Sequence, residues 1–459
     1  MNSSTATSAS RGLVVVVALL VASACTGPNE DEPADADDPT TAPAAADASG
    51  DCTRVVGLGA DGAVDPSAQA TLDAATAGDV ICIAADQPTT RLQATVSGTE
   101  AAPITIRGLG RPTIGGLAVD ADHVIVENLV IGEGVSNPDG EAGISLEGTG
   151  LVVRSTRVTD PGGAGIECSD DPPHCADTLI ADNEVRGADG TGIVAYGEGI
   201  VLSGNDVSGS IRENASDADG IRFFGSDIEI VGNNIHDISD DGYVPAEDAP
   251  HTDCFQTFDN DRPPTTDVLI HRNTCDRVDH QCLIAEGVTQ GRSARLTFAD
   301  NVCRNSGSQG ILVRAVEEMT IANNLFLSPI EFHGILADDA SLRVVNNAFV
   351  GSFDPYAGEA LDLTADHNLY WNPAEPDHEP GWSEPNGRSG LDPLLTLDTA
   401  QPLTEVAVPG AGSPLVDAGD DAFAGGEDLL GGLRSVDGDG DGVARVDIGP
   451  VELQAPPSG

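Results

Sequence analysis

The segments IEIVGNNI (228–235), VLIHRNTC (268–275), LTFADNVC (296–303), TIANNLF (320–326) and RVVNNAF (343–349) decide the fold, because they repeat one pattern. Each is a short alternating apolar run, then an asparagine, then a second apolar run, as β-strands on either side of a turn would require. Further copies place the repeated residue at Asn128, Asn183, Asn205 and Asn368, with Thr156 in the same slot. We interpret the asparagines as a ladder in a tight turn, where asparagine tolerates left-handed backbone angles and bonds its neighbours.

A second element precedes most of these runs, as in TGIVAY (191–196), DGIRFF (219–224), QGILVR (309–314) and HGILAD (333–338). The minimal period is near 22 residues and is stretched by loop insertions. Several short strands per repeat without helical periodicity predict an all-β solenoid of about ten coils. An antiparallel sandwich with asparagine-rich turns is the alternative, but it would not hold one register over nine units.

Composition excludes several classes of function. The chain has 75 acidic and 21 basic residues, a formal charge of −54, and no lysine among the basic residues. Such a charge repels nucleic acid, and the missing lysine excludes Schiff-base and P-loop chemistry. The apolar content of 40% is nevertheless sufficient for a core of small residues.

The N-terminus reads as an export signal. Residues 12–24 are apolar or small, a length that suits a secretory signal peptide at 1–24. The ending Ala22-Ser23-Ala24-Cys25 resembles the lipobox of bacterial lipoproteins, which implies lipidation of Cys25 and a cell-surface location. Cleavage after Ala24 without lipid is the alternative. Residues 25–50 predict an extended acidic tether.

The body at 51–385 should begin with a capping helix over 66–76, which would protect the open edge of the first coil. The stretches AGDVICIAAD (77–86) and SGTEAAPITIRGLGRPTIGG (97–116) resemble the opening coils of pectate-lyase-like right-handed parallel β-helices. This resemblance runs from about Cys52 to Trp371 and implies that fold. The tail at 386–459 resembles the closing segment of exported bacterial β-helices. Tyr370, Trp371 and Trp382 are expected to plug the end of the solenoid rather than to stack on sugars.

Eight cysteines remain once Cys25 is set aside, an even number that an oxidising compartment favours. The repeat alignment places Cys275 with Cys303, and Cys254 with Cys282, in equal slots of adjacent coils, about 4.8 Å apart. We therefore predict Cys275–Cys303 and Cys254–Cys282 disulfides, with Cys168–Cys175 closing a small loop and Cys52–Cys82 joining the cap. Unbonded stacked thiols are the alternative, and a zinc site is less favoured without Cys-x-x-Cys.

The candidate site follows from the slot that precedes each Gly-Ile strand. On five successive coils it holds Asp219, Asp253, Gln281, Gln309 and His333, whereas earlier coils have alanine or threonine there. Adjacent carboxyls suit acid, base or nucleophilic work on a glycosidic bond. The expected catalytic residues are Asp219, Asp253, His251, Arg222, His280 and His333. Asp253 is the most important of them, because both the hydrolase and the lyase mechanism require it. The expected substrate-binding residues are Gln256, Gln281, Glu286, Gln309 and Arg314.

Two short strings, DADG (217–220) and HTDC (251–254), resemble the Asn-Thr-Asp-Gly motif of polygalacturonase-like hydrolases, although other motifs of that family are absent. A lyase would need arginine or histidine as its base, with calcium held by Asp217, Asp219 and Asp253 to neutralise a uronate. The tail motif at Asp437, Asp439, Asp441 and Asp447 predicts a calcium loop or a plain acidic turn. All of these carboxylates can also be solvated turn residues.

Two functions are compatible with these sequence features. The first is a surface-anchored lyase or hydrolase of an acidic, uronate-containing polysaccharide. The second is a non-catalytic β-helix that binds glycans or a partner protein. A monomer, attached to the membrane only through the lipid, is expected in either case. Fold alone does not choose between these functions.

Overall fold

The computed structural model describes residues 51–57, 68–132, 140–172, 174–213, 217–243, 249–258, 262–287, 289–305, 307–328, 332–352, 354–359, 361–378, 380–381 and 383–454. The predicted signal peptide, Cys25, the tether and Trp382 lie outside the described residues. No helix in the described ranges is long and apolar enough to cross a membrane.

Parallel strands stack in three columns, one strand of each column per coil. Column 1 contains the Gly-Ile strands. Its strands are β3 Gln87–Ala94, β5 Thr113–Asp120, β8 Ile144–Thr149, β11 Ile166–Cys168, β14 Ile193–Ser203, β16 Ile221–Val231, β18 Phe255–Thr257, β21 Leu283–Glu286, β24 Ile311–Arg314, β28 Ile335–Asp338 and β31 Tyr356–Ala357.

Column 2 contains the strands that lead into the asparagine slot, including the C-terminal halves of β14 and β16. The others are β1 Arg54–Val56, β2 Val80–Ile83, β4 Ile104–Gly108, β6 Val124–Glu127, β9 Val152–Arg154, β12 Cys175–Ala181, β19 Thr266–His271, β22 Ser293–Ala299, β25 Val316–Glu317, β26 Met319–Ala322, β29 Ser341–Val345 and β32 Asp362–Asp366.

Column 3 contains the strands that follow the asparagine slot. They are β7 Val130–Ile131, β10 Arg157–Thr159, β13 Glu184–Arg186, β15 Asp206–Ser208, β17 Asn234–Ile238, β20 Thr274–Val278, β23 Val302–Asn305, β27 Leu325–Leu327, β30 Ala348–Val350, β33 Leu369–Trp371 and β34 Arg388–Ser389. The predicted all-β parallel solenoid is therefore confirmed.

Helical structure is sparse in the described part of the chain. Helix α1 spans Ala68–Asp73, inside the predicted range, and buries Ala68 and Leu72 in the main core. Its role as a cap and the number of coils stay predictions. Helix α2, Leu403–Val406, and a 3-10 turn, Asp421–Phe423, belong to the C-terminal segment.

The asparagine ladder forms between columns 2 and 3. Each side-chain amide donates to the side-chain oxygen of the asparagine on the next coil, for example from Asn205 to Asn233 over 2.9 Å. The same bond recurs along a continuous series: Asn183, Asn205, Asn233, Asn273, Asn301, Asn324, Asn347 and Asn368. Because both partners are buried, this ladder satisfies amides that would otherwise destabilise the core.

Two details of the predicted ladder are wrong. The structure puts Leu129, not Asn128, opposite Thr156, and Asn128 lies one residue earlier. The left-handed residue is the one before the ladder position, as at Asp182, Arg272 and Asn323, with φ of 54°, 55° and 56°. The ladder asparagines are selected for their paired amides rather than for an unusual φ, whereas Asn128 does occupy the left-handed position, with φ of 58°.

The C-terminal segment covers the outward face of column 3. One outward position of this column reads Asp206, Asn234 and Thr274 in the middle coils. In the later coils it becomes apolar, reading Val302, Leu325, Ala348 and Leu369. These residues form a second core with Leu403, Leu415, Ile448 and other tail residues. Each buried aliphatic side chain contributes about 1.5–3 kcal/mol, so the tail is an integral part of the fold.

The described residues contain four disulfides. Cys52–Cys82 and Cys168–Cys175 form as predicted, but the predicted Cys254–Cys282 and Cys275–Cys303 pairs are wrong. The structure joins Cys254 to Cys275 and Cys282 to Cys303, with Cα–Cα distances of 6.1 and 6.0 Å. Residues at equal positions of parallel strands point the same way, whereas each observed pair converges from two columns of one coil. Four disulfides indicate an exported protein.

Candidate active site

The slot before the Gly-Ile strands forms one continuous column, as predicted. The pairing of the strands that follow aligns Thr191, Asp219, Asp253, Gln281, Gln309 and His333 on successive coils. At the strand entrances, loops from neighbouring coils bring additional polar side chains to this column.

Asp219 and Asp253 are fully buried, each with 0% of its surface exposed. Oδ1 of Asp219 accepts from the backbone N–H of Asp253 over 3.0 Å, and Oδ1 of Asp253 accepts from the N–H of Gln281 over 2.8 Å. This is the same arrangement as the asparagine ladder, in which a side-chain oxygen binds the next coil's amide. A polysaccharide therefore does not reach either carboxyl, which corrects their predicted role as catalytic groups.

Burial changes the proton affinity of this pair. Burial raises the pKa of Asp219 to about 6, and the Arg222 guanidinium partly opposes that rise. Burial, followed by the negative charge of Asp219, raises the pKa of Asp253 well above its usual range. Asp253 is therefore the more readily protonated of the two, because Arg222 is bonded to Asp219.

Arg222 links the buried pair to the surface. Its Nε donates to Oδ2 of Asp219 over 2.7 Å and to Oε1 of Gln256 over 2.8 Å, and an Nη lies 3.1 Å from Asp217. Nε2 of Gln256 donates to Oδ2 of Asp253 over 3.2 Å. The Arg222 side chain is 17% exposed and its Nη2 atom is buried, so the guanidinium is a fixed cation at the floor of the entrance.

Two histidines lie at the same entrance. The rings of His251 and His280 are 5.2 Å apart, and His251 is exposed. The backbone N–H of Thr252 donates to Nδ1 of His280 over 3.0 Å, so neutral His280 carries its proton on Nε2. Burial, followed by the neighbouring His251, lowers the pKa of His280 and favours this neutral form. The backbone N–H of His251 donates to Oδ1 of Asp217 over 2.9 Å, and Asp217 is ion-paired with Arg222.

The other predicted residues are distributed along the column. Gln281 is buried and donates to Ser308 over 2.8 Å. Gln309 and His333 are half-buried on later coils. Arg314 donates to Glu286 over 2.9 Å at the outer edge of column 1. The structure thus joins Asp217, Asp219, Arg222, His251, Asp253, Gln256 and His280 in one cluster, and it leaves Glu286, Gln309, Arg314 and His333 away from it.

Sequence reasoning missed an aromatic row on the outward face of column 1. Tyr196 and Phe224 have ring centroids 5.6 Å apart, and Phe224 and Phe258 are 5.1 Å apart. The guanidinium of Arg262 lies over this row, 4.6 Å from the Phe224 centroid, and pairs with Asp170 over 3.1 Å. The signal was in the sequence, since each aromatic is three residues after the first apolar residue of its strand.

The predicted calcium site at Asp217, Asp219 and Asp253 does not fit the structure. Both oxygens of each carboxylate contact nitrogen donors of the protein. Two of the three side chains are also fully buried, so the set offers no open face to a hydrated cation.

The tail differs in part from its prediction. Carboxylate oxygens of Asp437, Asp439 and Asp417 lie within 4.8 Å of one another, and Asp417 had not been predicted. Asp441 instead accepts from the N–H of Val443 over 2.7 Å. Asp447 is fully buried and accepts two backbone N–H groups, which excludes it from a calcium loop.

The family comparison matches residues 174–349 to the right handed beta helix region. No curated protein matches the chain. The family match and the three parallel columns show that the chain has the fold of a right-handed parallel β-helix. The predicted resemblance to the pectate-lyase-like β-helices is confirmed for the fold.

Several solved structures are similar to the chain. Pectate lyase Pel9A is 13% identical with a TM-score of 0.45, over 88% of this chain and 97% of that one. The surface adhesin PfbA of Streptococcus pneumoniae is 11% identical with a TM-score of 0.45, over 69% and 90%. An alginate lyase from Paenibacillus sp. is 16% identical with a TM-score of 0.36, over 68% and 100%. At these identities the likeness concerns the fold alone.

Proposed function

We propose that this protein is a lyase that cleaves a uronate-containing polysaccharide at the cluster formed by Arg222, His251 and His280. The observation that supports this proposal is an exposed histidine and a proton-bearing histidine, 5.2 Å apart by ring centroids, beside a fixed guanidinium. A hydrolase would need two carboxyls that face the sugar, and Asp219 and Asp253 are both buried.

Each accessible group has a role in β-elimination. Arg222 binds the uronate carboxylate and so acidifies the neighbouring C5–H. Neutral His251 takes the C5 proton, and the electron pair forms the C4–C5 double bond as the C4–O4 bond breaks. The Nε2–H of neutral His280 donates a hydrogen bond to the departing O4, which takes its proton from solvent, and imidazolium His251 returns its proton to solvent, so atoms and charges balance. Asp219 and Gln256 act as positioning residues that orient Arg222.

The test measures unsaturated ends and reducing ends separately on polygalacturonate and alginate. A lyase produces the ultraviolet absorbance of unsaturated uronate, whereas a hydrolase produces reducing ends alone. His251→Ala should reduce kcat at least 100-fold, and His271→Ala, a histidine paired with Glu229 elsewhere, should not. Equal activity of the His251→Ala variant and the unaltered protein contradicts the assignment, and C5 inversion without cleavage would indicate an epimerase.

The second candidate is a non-catalytic glycan-binding protein. The burial of Asp219 and Asp253 favours it, because it removes from the surface the two carboxyls that catalysis would use. Binding of oligouronates without any turnover would replace the lyase by this function.

We also propose that lipidation at Cys25 tethers the protein to the outer face of the membrane, on the strength of the lipobox-like sequence. Cys25→Ala should move the protein from the detergent phase to the aqueous phase. Unchanged partitioning would contradict the anchor.

A further inference from the structure

The structure contains a second polar groove, on column 3 and away from the candidate active site. Its volume is about 580 Å³. One wall is formed by strands β17 and β20 and the turns before them, and the other by residues 400–404 and Leu429 of the C-terminal segment. The groove begins at the point where the outward positions of column 3 change from polar to apolar, because the covering tail begins there.

Charges in this groove differ from those of the rest of the molecule. Arg272 pairs with Glu427 over 2.8 Å, and Arg277 pairs with Asp237 and Asp276. The chain as a whole has 75 acidic and 21 basic residues, yet cations and anions are almost balanced here. An anionic ligand therefore meets less repulsion in this groove than on the surrounding surface.

His236 and Arg304 are two further basic residues at or beside this groove. His236 contacts Asp206 and Asp237, and its hydrogen bond to Asp206 raises its pKa. Arg304 donates to both oxygens of Asp276, over 2.7 and 3.0 Å, and to the carbonyl of Thr399 over 3.2 Å. These contacts fix the cations before any ligand binds, which lowers the entropy cost of binding.

The remaining lining consists of neutral hydrogen-bonding groups. Thr274 donates to Asn234 over 2.7 Å on the β-helix wall, and Gln401 and Thr404 line the opposite wall. Hydroxyl and amide groups on two walls match the many hydroxyls of a sugar, and arginine matches a carboxylate. The size suits a short oligosaccharide.

We propose that this groove binds a carboxylated saccharide, with Arg272 and Arg277 contacting the carboxylate and Gln401 and Thr404 contacting hydroxyls. The site would hold an acidic glycan on the flank of the β-helix, at a distance from the entrance cluster. It does not depend on any turnover by that cluster.

The first experiment is calorimetric titration of the full mature chain with trigalacturonate, and with maltotriose as the neutral probe. Trigalacturonate should bind to one flank site with at least about tenfold higher affinity than maltotriose. The double substitution Arg272→Gln with Arg277→Gln should weaken trigalacturonate binding about tenfold or more. Gln401→Ala changes the opposite wall without removing an ion pair, and it should weaken binding by about threefold or more.

A matched control is available on column 2. Arg295 makes two 2.6 Å bonds to Asp267 at an exposed site outside the groove, much as Arg277 binds Asp237. Arg295→Gln removes one positive charge, half the change made by the double substitution, and should leave affinity unchanged. The proposal is overturned if the groove variants bind as tightly as the unaltered protein, if Arg295→Gln weakens binding equally, or if sodium sulfate at equal concentration displaces the saccharide. His251→Ala should retain flank binding, so loss of turnover and loss of this site are separate outcomes.

Discussion

Asn368 is the last asparagine of the ladder, and the carboxylate of Glu384 accepts the hydrogen bonds that a further asparagine would accept. Its Oε1 accepts from the backbone N–H of Asn368 over 2.6 Å and from Nδ2 of the same residue over 3.1 Å. The second oxygen accepts from the hydroxyl of Tyr356 over 3.1 Å. A solenoid leaves amides unpaired at its last coil, and the Glu384 carboxylate, which follows β33 in the chain, supplies the missing acceptor.

This relationship predicts a stability difference between two substitutions. Glu384→Ala leaves the amides of Asn368 without their acceptor and should cost about 1–3 kcal/mol of unfolding free energy. Glu384→Gln keeps an acceptor oxygen and should cost less than half as much. Urea unfolding measures both, with the exposed Glu375→Ala as the control. Equal losses in the alanine and glutamine variants would contradict the ladder-end role.

The buried position of Asp253 predicts that its charge is not needed for folding. Asp253→Asn keeps the acceptor for the N–H of Gln281 and removes the repulsion with Asp219. Its unfolding free energy at pH 7.5 should equal or exceed that of the unaltered protein, whereas Asp253→Ala should lose about 1–3 kcal/mol. Chemical unfolding at that pH decides the outcome. A large loss in the asparagine variant would show that the ionised carboxylate is required.

Stability should fall as pH rises from about 5 to 7.5. Burial raises the pKa of Asp447 to about 6 and of Glu452 to about 7, both above the values near 4 of unfolded carboxyls. The folded state therefore binds more protons than the unfolded state in this pH range. The contribution of these two protonated carboxyls to the unfolding free energy is present at low pH and is lost as pH rises through their folded pKa values.

The same residues provide the control for that pH dependence. Asp447→Asn combined with Glu452→Gln should remove the part of this fall that the two carboxyls cause, about 1–3 kcal/mol per carboxyl, and should leave the part caused by Asp219 and Asp253. Unfolding free energies at pH 5 and 7.5, in constant salt, measure it. A pH dependence that is unchanged in the double variant would contradict the role of Asp447 and Glu452 and assign the effect to Asp219, Asp253 or the overall negative charge.

The tail turn with Asp417, Asp437 and Asp439 predicts stabilisation by calcium. A cation would neutralise three carboxylates whose oxygens approach within 4.8 Å. Calcium at 100 times its dissociation constant should raise the unfolding free energy by about 2.7 kcal/mol, which thermal melting with and without chelator detects. Asp439→Asn should abolish the response, and Asp392→Asn should retain it, because the Asp392 carboxylate accepts from the N–H of Leu394 and does not belong to this turn. No response in the unaltered protein would leave a plain acidic turn.

Much of the fold could be predicted because its signals are local and repeated. The asparagine spacing predicted the stacking from Asn183 to Asn368, and the Gly-Ile slot predicted the alignment of Asp219 with Asp253. The predicted register of the ladder is wrong at one coil, where a shift of a single residue decides which side chain occupies the ladder position. Asn128 matches the sequence pattern of the ladder asparagines. The pairing of Val130 with Arg157, however, places Leu129 rather than Asn128 in the ladder position.

The sequence by itself determined the coil, its period and which residues share a column, because a parallel solenoid repeats the same local contacts in every coil. Only the tertiary structure decided the features that depend on where a side chain points and on which residues bury it. Equal slots placed Cys254 near Cys282, but side chains that converge from two columns joined Cys254 to Cys275. The spacing also placed Asp253 at the entrance of its strand, but residues of the neighbouring coils bury its side chain. Burial depends on residues that are distant in sequence, and their contacts produce no periodic pattern that the sequence would reveal.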